Sequence, residues 1–433
     1  MVVTIVVLLI LAGVSISLIL DNNGIIQKSK EARREYGQAS TNEQKDLSNL
    51  SDIIDDATAA PTPKVDIDTK AEDNSTINGK KGSANNPTIP EGYTPVNTDT
   101  SNWGDGNSTP TQDSVDHGLV IRDESNNEWV WVPVPDVTIM CDTSNQTEYT
   151  LCGTEGETTV TTNKYSKTMT IGKDSNTRTI SRTTPGISTS GSYREPDLVV
   201  GSSGASCDAK EEYYKTILGF ESKEKMAEAF VSDYNEMIES ISKYGGFYIG
   251  RYELSQAGVQ KDKKTLTNTN WYNLYKKCKE LKASGKVETR MMWGCQWAVV
   301  LDWLISSGSK TSDEVNKDSS SWGNYRSTSV KADDGITEIK ASGTEEVLNT
   351  GVTTFTMANN IYDLAGNCLE WTQEATYIGS RAIGGGDYNS GTYSASGRNY
   401  GGGITNAATD DFRYPPNLNN KVVFNFNCVR LLA

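Results

Sequence analysis

Trp297, Trp303 and Trp371, with Tyr248, Tyr252 and Tyr362, punctuate short segments of the chain and form no long periodic run. Aromatic rings bring large buried area and need packed neighbours, so this spacing calls for a compact α+β fold with much irregular backbone. Gly366 before Asn367, and Gly384-Gly385-Gly386, mark points where the backbone needs positive φ or close approach. Leu119-Val120-Ile121, a polar turn at Ser125-Asn126-Asn127 and Trp129-Val130-Trp131-Val132 predict a β-hairpin. Residues 209–243 read as helices, because EEYYKTILGF and KEKMAEAFVSDYNEMIESISKYG carry apolar residues at three-to-four spacing. TEYTLCG, TTVTTNKYSKTMTIG and TRTISRTT read as short strands of an insertion at about 138–208, inside a domain spanning 117–433.

The other end of the chain has a different character. Val2 to Leu20 carries no charge and as a helix would extend roughly 28 Å, close to the thickness of bilayer hydrocarbon. Residues 1–20 are therefore expected to form a transmembrane segment, in preference to a core helix or a cleaved signal peptide. Residues 21–51 continue as an amphipathic helix with Ile25, Ile26, Ala32 and Tyr36 on one face. Residues 52–116 are rich in Thr, Pro, Asn, Asp, Ser and Gly and predict a flexible linker or stalk. An irregular layer packed on the head is the alternative, strongest near Tyr93 and Trp103. The basic residues nearest the apolar run are Lys28, Lys30, Arg33 and Arg34, all C-terminal to it. That charge order would hold the head in the cytoplasm. A basic leader upstream would reverse it, so Met1 is expected not to be the true beginning.

Net charge of −15 disfavours nucleic acid, which needs clustered Lys and Arg. The single histidine, His117, removes most His-based catalysis and any His-rich zinc site. None of Cys141, Cys152, Cys207, Cys278, Cys295, Cys368 and Cys428 lies in a CxxC pair. Disulfides, with Cys141 and Cys152 nearest in sequence, and buried free thiols are both open readings. There is no P-loop, no HExxH and no credible Ser/His/Asp set. Glu345-Glu346 and Asp410-Asp411 read as solvated surface in so acidic a chain.

VVTIVVLLILAGVSISLILDNNGIIQKSKEA resembles the N-terminal helix of type IV pilins and pseudopilins, particularly Firmicute-type ones. It lacks that family's basic leader and the glutamate usual at the fifth mature position. The resemblance implies a membrane anchor at a Gram-positive cell surface, with pilus subunits as partners.

Downstream, EWVWVPVP, GGFYIGRYELS, NWYNLYKKCKEL, RMMWGCQWAVVLDWL, SWGNY, NIYDLAGNCLEWT, RAIGGGDY and the closing CVRLLA occur in one order. Together they resemble the formylglycine-generating-enzyme, or sulfatase-modifying-factor, branch of the C-type-lectin fold. The family's copper-binding cysteines would fall at Ser390 and Ala395, which supply no thiolate for soft Cu(I), so the resemblance implies neither copper nor the family's oxidase activity. It also implies calcium, on the carboxylates of Asp363 and Glu370 and the carbonyls of Gly366 and Cys368, a hard oxygen shell. The alternative is that Asp363 caps a turn and Glu370 makes buried hydrogen bonds.

Asp387 to Asn427 is loaded with Asn, Tyr, Gly, Ser and Asp, the palette of antibody paratopes. It resembles the variable region of diversity-generating-retroelement target proteins. Asp387, Tyr388, Asn389, Tyr393, Asn399, Tyr400, Arg413, Tyr414 and Asn417 are the candidate contacts for a protein or glycan on another cell or phage surface. The expected function is a surface-displayed, non-catalytic, adhesin-like binding protein. A divergent oxidase, a structural pseudopilin subunit and a loop with no dedicated partner are the alternatives.

Overall fold

The structure is a computed structural model. It describes residues 83–401 except 91, 105–109, 141–144, 152–157, 165–168, 174–178, 184–192, 197–207, 209–210, 268, 282–286, 377–379 and 392, and also residues 418–419 and 422–426. All of these lie in one unit, Val65–Ala433. The transmembrane expectation for residues 1–20, the amphipathic helix at 21–51 and the first part of the expected stalk lie outside the described residues. Among those described, no helix is long and apolar enough to cross a membrane.

From Tyr93–Val96 (β1) the chain passes a short helix, Gln112–Asp116 (α1), into the strands Val120–Asp123 (β2) and Glu128–Pro133 (β3). Two hairpins follow, Asn145–Leu151 (β4) with Thr158–Lys164 (β5) and Met169–Lys173 (β6) with Thr179–Thr183 (β7), then Tyr193–Arg194 (β8). Helix Lys223–Tyr244 (α2) leads into Gly246–Gly250 (β9), Trp271–Glu280 (α3), Val287–Met291 (β10), Gly294–Ser306 (α4) and Ser312–Asn316 (α5). Two small hairpins, Val330–Lys331 (β11) with Glu338–Lys340 (β12) and Met357–Ala358 (β13) with Ile361–Tyr362 (β14), come next. The chain then forms Leu369–Thr376 (β15), Ser380–Gly384 (β16), Arg398–Gly401 (β17), Leu418–Asn419 (β18) and Val422–Phe426 (β19).

A six-stranded antiparallel sheet, in the order β1-β2-β3-β9-β19-β10, forms the centre. Side chains alternate across a strand, and here both faces are buried. Trp129, Trp131 and Tyr248 point into one apolar cluster with Trp271, Tyr272 and Tyr275 of α3. Val130, Val132, Phe247 and Ile249 point into the other, against Trp297, Val300 and Leu304 of α4. The predicted hairpin is β2–β3, with Ile121 opposite Trp129. Helix α2 begins where Ser222 accepts a bond from the Lys225 amide and ends at Gly245, whose φ of 77° places it in the left-handed region. Its Met226, Phe230, Met237, Ile238 and Ile241 are buried, each such side chain contributing about 1.5–3 kcal/mol.

One stretch departs from the expected stalk and follows its alternative, a layer packed on the head. From Ser83 onward, the expected stalk belongs to the packed head. Ile89, Tyr93 and Trp103 are buried, Tyr93–Val96 is an edge strand on β2, and Trp103 Nε1 donates to the Val120 carbonyl at 2.7 Å. The Trp131 indole donates to the Ala84 carbonyl at 2.7 Å and the Tyr248 hydroxyl to that of Thr88 at 3.1 Å. Three large apolar residues, spaced without any period in a polar stretch, fasten it down. The insertion, in turn, is joined to the head. Its β6, β7 and β8 extend a second sheet, ordered β17-β16-β15-β8-β7-β6, in which Arg194 pairs with Ala375. Two buried acids fix its return. Glu195 accepts from the Gly294 amide and, at 3.1 Å, from the Cys295 amide at the start of α4. Asp208 pairs with the buried guanidinium of Arg381 and accepts from the Tyr272 hydroxyl at 2.6 Å.

Candidate functional site

Three loops meet beyond β14, β16 and α5: residues 363–368, residues 384–397 and the SWGNY segment around Asn324. Asp363, Gly366 and Asn367 all have positive φ, at 60°, 73° and 58°, which folds the first loop back on itself. A Cβ on Gly366 would come within 2.5 Å of the Asn324 carbonyl oxygen, so the close approach needs glycine. Backbone bonds then lace the loops together. The Gly366 amide donates to Gly385, the Asn367 amide to Asn324 and the Tyr388 amide to Asn367, at 2.9, 2.9 and 3.1 Å. The buried Tyr325 hydroxyl donates to the Gly385 carbonyl at 2.8 Å.

The segment after Gly386 is held from beneath. Asp387, 2% exposed, accepts with one carboxylate oxygen from both the amide and the hydroxyl of Ser390, at 2.9 and 2.6 Å. Burial pushes the Asp387 carboxyl above its usual range despite those two bonds. The Arg326 amide donates to the Ser390 carbonyl, the Ser319 amide to that of Tyr393 and the Ser396 amide to that of Val315. Ala395 is buried, its amide donating to Ser319 Oγ and its carbonyl accepting from Trp297 Nε1. Tyr388, Asn389, Ser390 and Gly391 are half-buried along the rim, and Tyr393 is half-buried against the apolar cluster of α4.

No protein-family model matches the chain, and no curated protein sequence matches it.

The structure thus divides the expected contact residues. Tyr388, Asn389 and Tyr393 lie together on the rim, while Asp387 sits under it and shapes the turn. Asn399 and Tyr400 lie in β17, opposite Ile383 and Ala382. Arg413, Tyr414 and Asn417 lie outside the described residues. Ser390 and Ala395 take the roles given above, a bonded hydroxyl and a buried methyl. The residues that hold the rim in place, Ser319, Asn324, Tyr325 and Arg326, were not expected as site residues. The SWGNY motif was the available signal, but nothing local shows that it faces residues sixty positions later.

Of the expected calcium ligands, Asp363 accepts from Thr350 Oγ1 and the Gly351 amide, at 2.8 and 3.1 Å. That is the turn-holding alternative. Glu370, in β15, is buried and pairs with Gly384 of β16 and Asn419 of β18. Cys368 is a free, buried cysteine; burial pushes its thiol well up, and the carboxylates of Glu253, Asp363, Asp387 and Glu370 add to the effect. Among the described residues no three His, Cys, Asp or Glu side chains cluster as metal ligands; the expected set has only two carboxylates, completed by carbonyls. Hard oxygen donors are present here, and at Asp363 both bonds that hold the chain fall on one carboxylate oxygen, Oδ2.

Cys278 and Cys295 are also buried, while Cys141, Cys152, Cys207 and Cys428 lie outside the described residues. His117 ends α1, its Nδ1 2.7 Å from the Asp113 carbonyl.

Proposed function

We propose that the chain is a surface-displayed, non-catalytic binding protein whose C-terminal head recognises its ligand through the loop after Gly386. The observation that carries this reading is the contrast within residues 387–397. Their backbone is pinned by Asp387, Ser319, Arg326 and Val315, and Tyr393 packs on the apolar cluster of α4, while Tyr388 and Asn389 are only half-buried. A rigid backbone lowers the ordering cost of binding, and tyrosine and asparagine supply area and adaptable hydrogen bonds. The α+β architecture, with β-strands sandwiched by α3 and α4 and long loops gathered beside β16, supports a C-type-lectin-like head of the formylglycine-generating-enzyme type. The apolar Val2–Leu20 run supports a pilin-like anchor. Retroelement diversification of the loop belongs to the same proposal. A near-identical repeat in the flanking DNA, differing only at template adenines, supports it, and the absence of such a repeat removes it.

The test of binding is a Tyr388→Ala, Asn389→Ala double variant, probed against the partner that a protein or glycan array selects for the natural chain. Loss of about tenfold or more in affinity at unchanged melting temperature is expected. Equal affinity would overturn the reading. So would robust oxidation of a peptide cysteine by the copper-loaded protein, the outcome that favours the oxidase.

Calcium is a separate proposal within this reading, resting on the family resemblance and on the buried carboxylates around Cys368. A ligand bound only by the native state stabilises it by RT ln(1 + [L]/Kd), about 2.7 kcal/mol at a hundredfold excess over Kd. Melting temperature should therefore rise with added calcium and fall with a chelator. Indifference to both would sink the proposal.

A further inference from the structure

Among the described residues one lysine is buried: Lys340, at the end of β12, is 2% exposed. Lysine is almost never fully buried unless its charge is paired, because an unpaired ion away from water is costly. Here the partners are main-chain oxygens. The ammonium donates to the carbonyls of Tyr325, Thr328 and Thr344, at 2.9, 2.8 and 3.2 Å. Those bonds use every donor an ammonium has. Glu346 and Glu338 act on the charge through space, without bonding it.

Two of those carbonyls belong to the ends of a turn. Tyr325 is its first residue and Thr328 its last, and the Thr328 amide donates to the Tyr325 carbonyl at 3.0 Å. The Lys340 ammonium bridges both ends. The residues of this turn hold the rim: the Arg326 amide donates to the Ser390 carbonyl at 2.9 Å, Ser327 Oγ to the Gly391 carbonyl and the Tyr325 hydroxyl to Gly385 at 2.8 Å. From the other side, the Gly343 amide donates to the Arg326 carbonyl at 2.7 Å, and Thr344, the next residue, supplies the third oxygen on the ammonium. Lys340 therefore stands directly behind the turn through which residues 325–327 grip Gly385, Ser390 and Gly391.

We infer that Lys340 is the positioning residue of the rim, its ammonium filling a cradle of three carbonyls that would otherwise suit a free alkylammonium ion. Removing the ammonium leaves buried carbonyls without donors, and a buried polar group left unsatisfied costs more than its bond is worth on balance. The turn at 325–328 then gains by opening to water, and the rim loses its support. The β2–β3 hairpin lies in the central sheet and needs no bond from this turn. That the rim binds a ligand rests on the function proposed above; the hold of Lys340 on the rim is read without a ligand, so either can fail alone.

Amide hydrogen exchange on the full chain, read by mass spectrometry, tests it, since exchange reports local opening. Lys340→Met keeps an unbranched stem and loses the charge. In that variant, exchange in peptides covering Arg326 and Ser390 should quicken about tenfold or more beyond any change in β2–β3. In Lys340→Ala, whether or not it folds unaided, propylammonium replaces the missing stem and ammonium together and should restore the natural pattern, saturating with concentration. Tetramethylammonium at equal ionic strength has the charge but no N–H, and should restore nothing. A Lys340→Met rim that exchanges like the natural one overturns the inference. So does equal quickening at the rim and in β2–β3, which marks a charge that only stabilises the fold. Failure of propylammonium to rescue, or equal rescue by tetramethylammonium, overturns it as well.

Discussion

Asp387 and Asp233 are both buried carboxylates that their surroundings push in opposite directions. At Asp387 burial outweighs the two bonds from Ser390 and holds the carboxyl above its ordinary range. At Asp233 burial is outweighed by Arg290 and Lys279 and by hydrogen bonds from Lys279 and Tyr275, so the group stays below that range. The pH consequences have opposite sign. For Asp387, the native state keeps a proton that the unfolded chain has released, so stability falls as pH rises from the ordinary carboxylate range to the raised value. Melts of Asp387→Asn against the natural chain should show the variant gaining relative stability across that rise. For Asp233, the contribution is complete above the ordinary aspartate value and is lost as pH falls through the depressed one. Asp233→Asn removes the carboxylate that Lys279 meets at 2.9 Å and Arg290 at 3.9 Å, while Arg290 keeps Glu236 and Glu288 at 2.6 and 2.7 Å; it should cost about 2 kcal/mol near neutral pH, a deficit that shrinks in acid. Neither environment was legible in the sequence. Asp233 lies in an ordinary helical pattern, and its partners Tyr275 and Lys279 come from α3, over forty residues away.

Among the elements, α2 was legible because every signal for it is local: a serine cap, an apolar stripe and a glycine stop. The β2–β3 hairpin was legible for the same reason. Helix α4 shows the opposite case. Its start is held by Glu195, ninety-nine positions earlier in the chain, through amides that carry the positive end of the helix dipole. The expected insertion is thus a structural staple for the helix under the second apolar cluster. Glu195→Gln keeps one acceptor but loses the charge, and should cost about 1–2 kcal/mol by denaturant melts. The same distance effect hid the rim. The glycines of 384–386 and the DLAGN turn were visible as bends, and the Tyr- and Asn-rich stretch was visible as composition. That Asp387 faces inward while Tyr388 and Asn389 face outward is set by bonds to Ser390 and Asn367, which no spacing rule supplies.

For the whole molecule, the boundary of the head moves. Ile89, Tyr93 and Trp103 are core residues, so a fragment beginning at Ser83 should unfold in one cooperative transition near the midpoint of the full chain. One beginning at His117 loses β1 and the Trp103 anchor, and should melt many degrees lower, since a buried tryptophan alone is worth about 3–5 kcal/mol. The order of strands in the central sheet has a further consequence. β19, the last described strand, lies between β9 and β10, pairing Val423 with Ile249 on one side and with Arg290 on the other. Until it is synthesised, β10 is parted from the other four strands and two facing edges stay unpaired, which are natural sites for misassembly. Addition of β19 is therefore the event that lets the head close. A product cut short before β19 would carry the rim residues on an unfinished sheet, open to proteolysis.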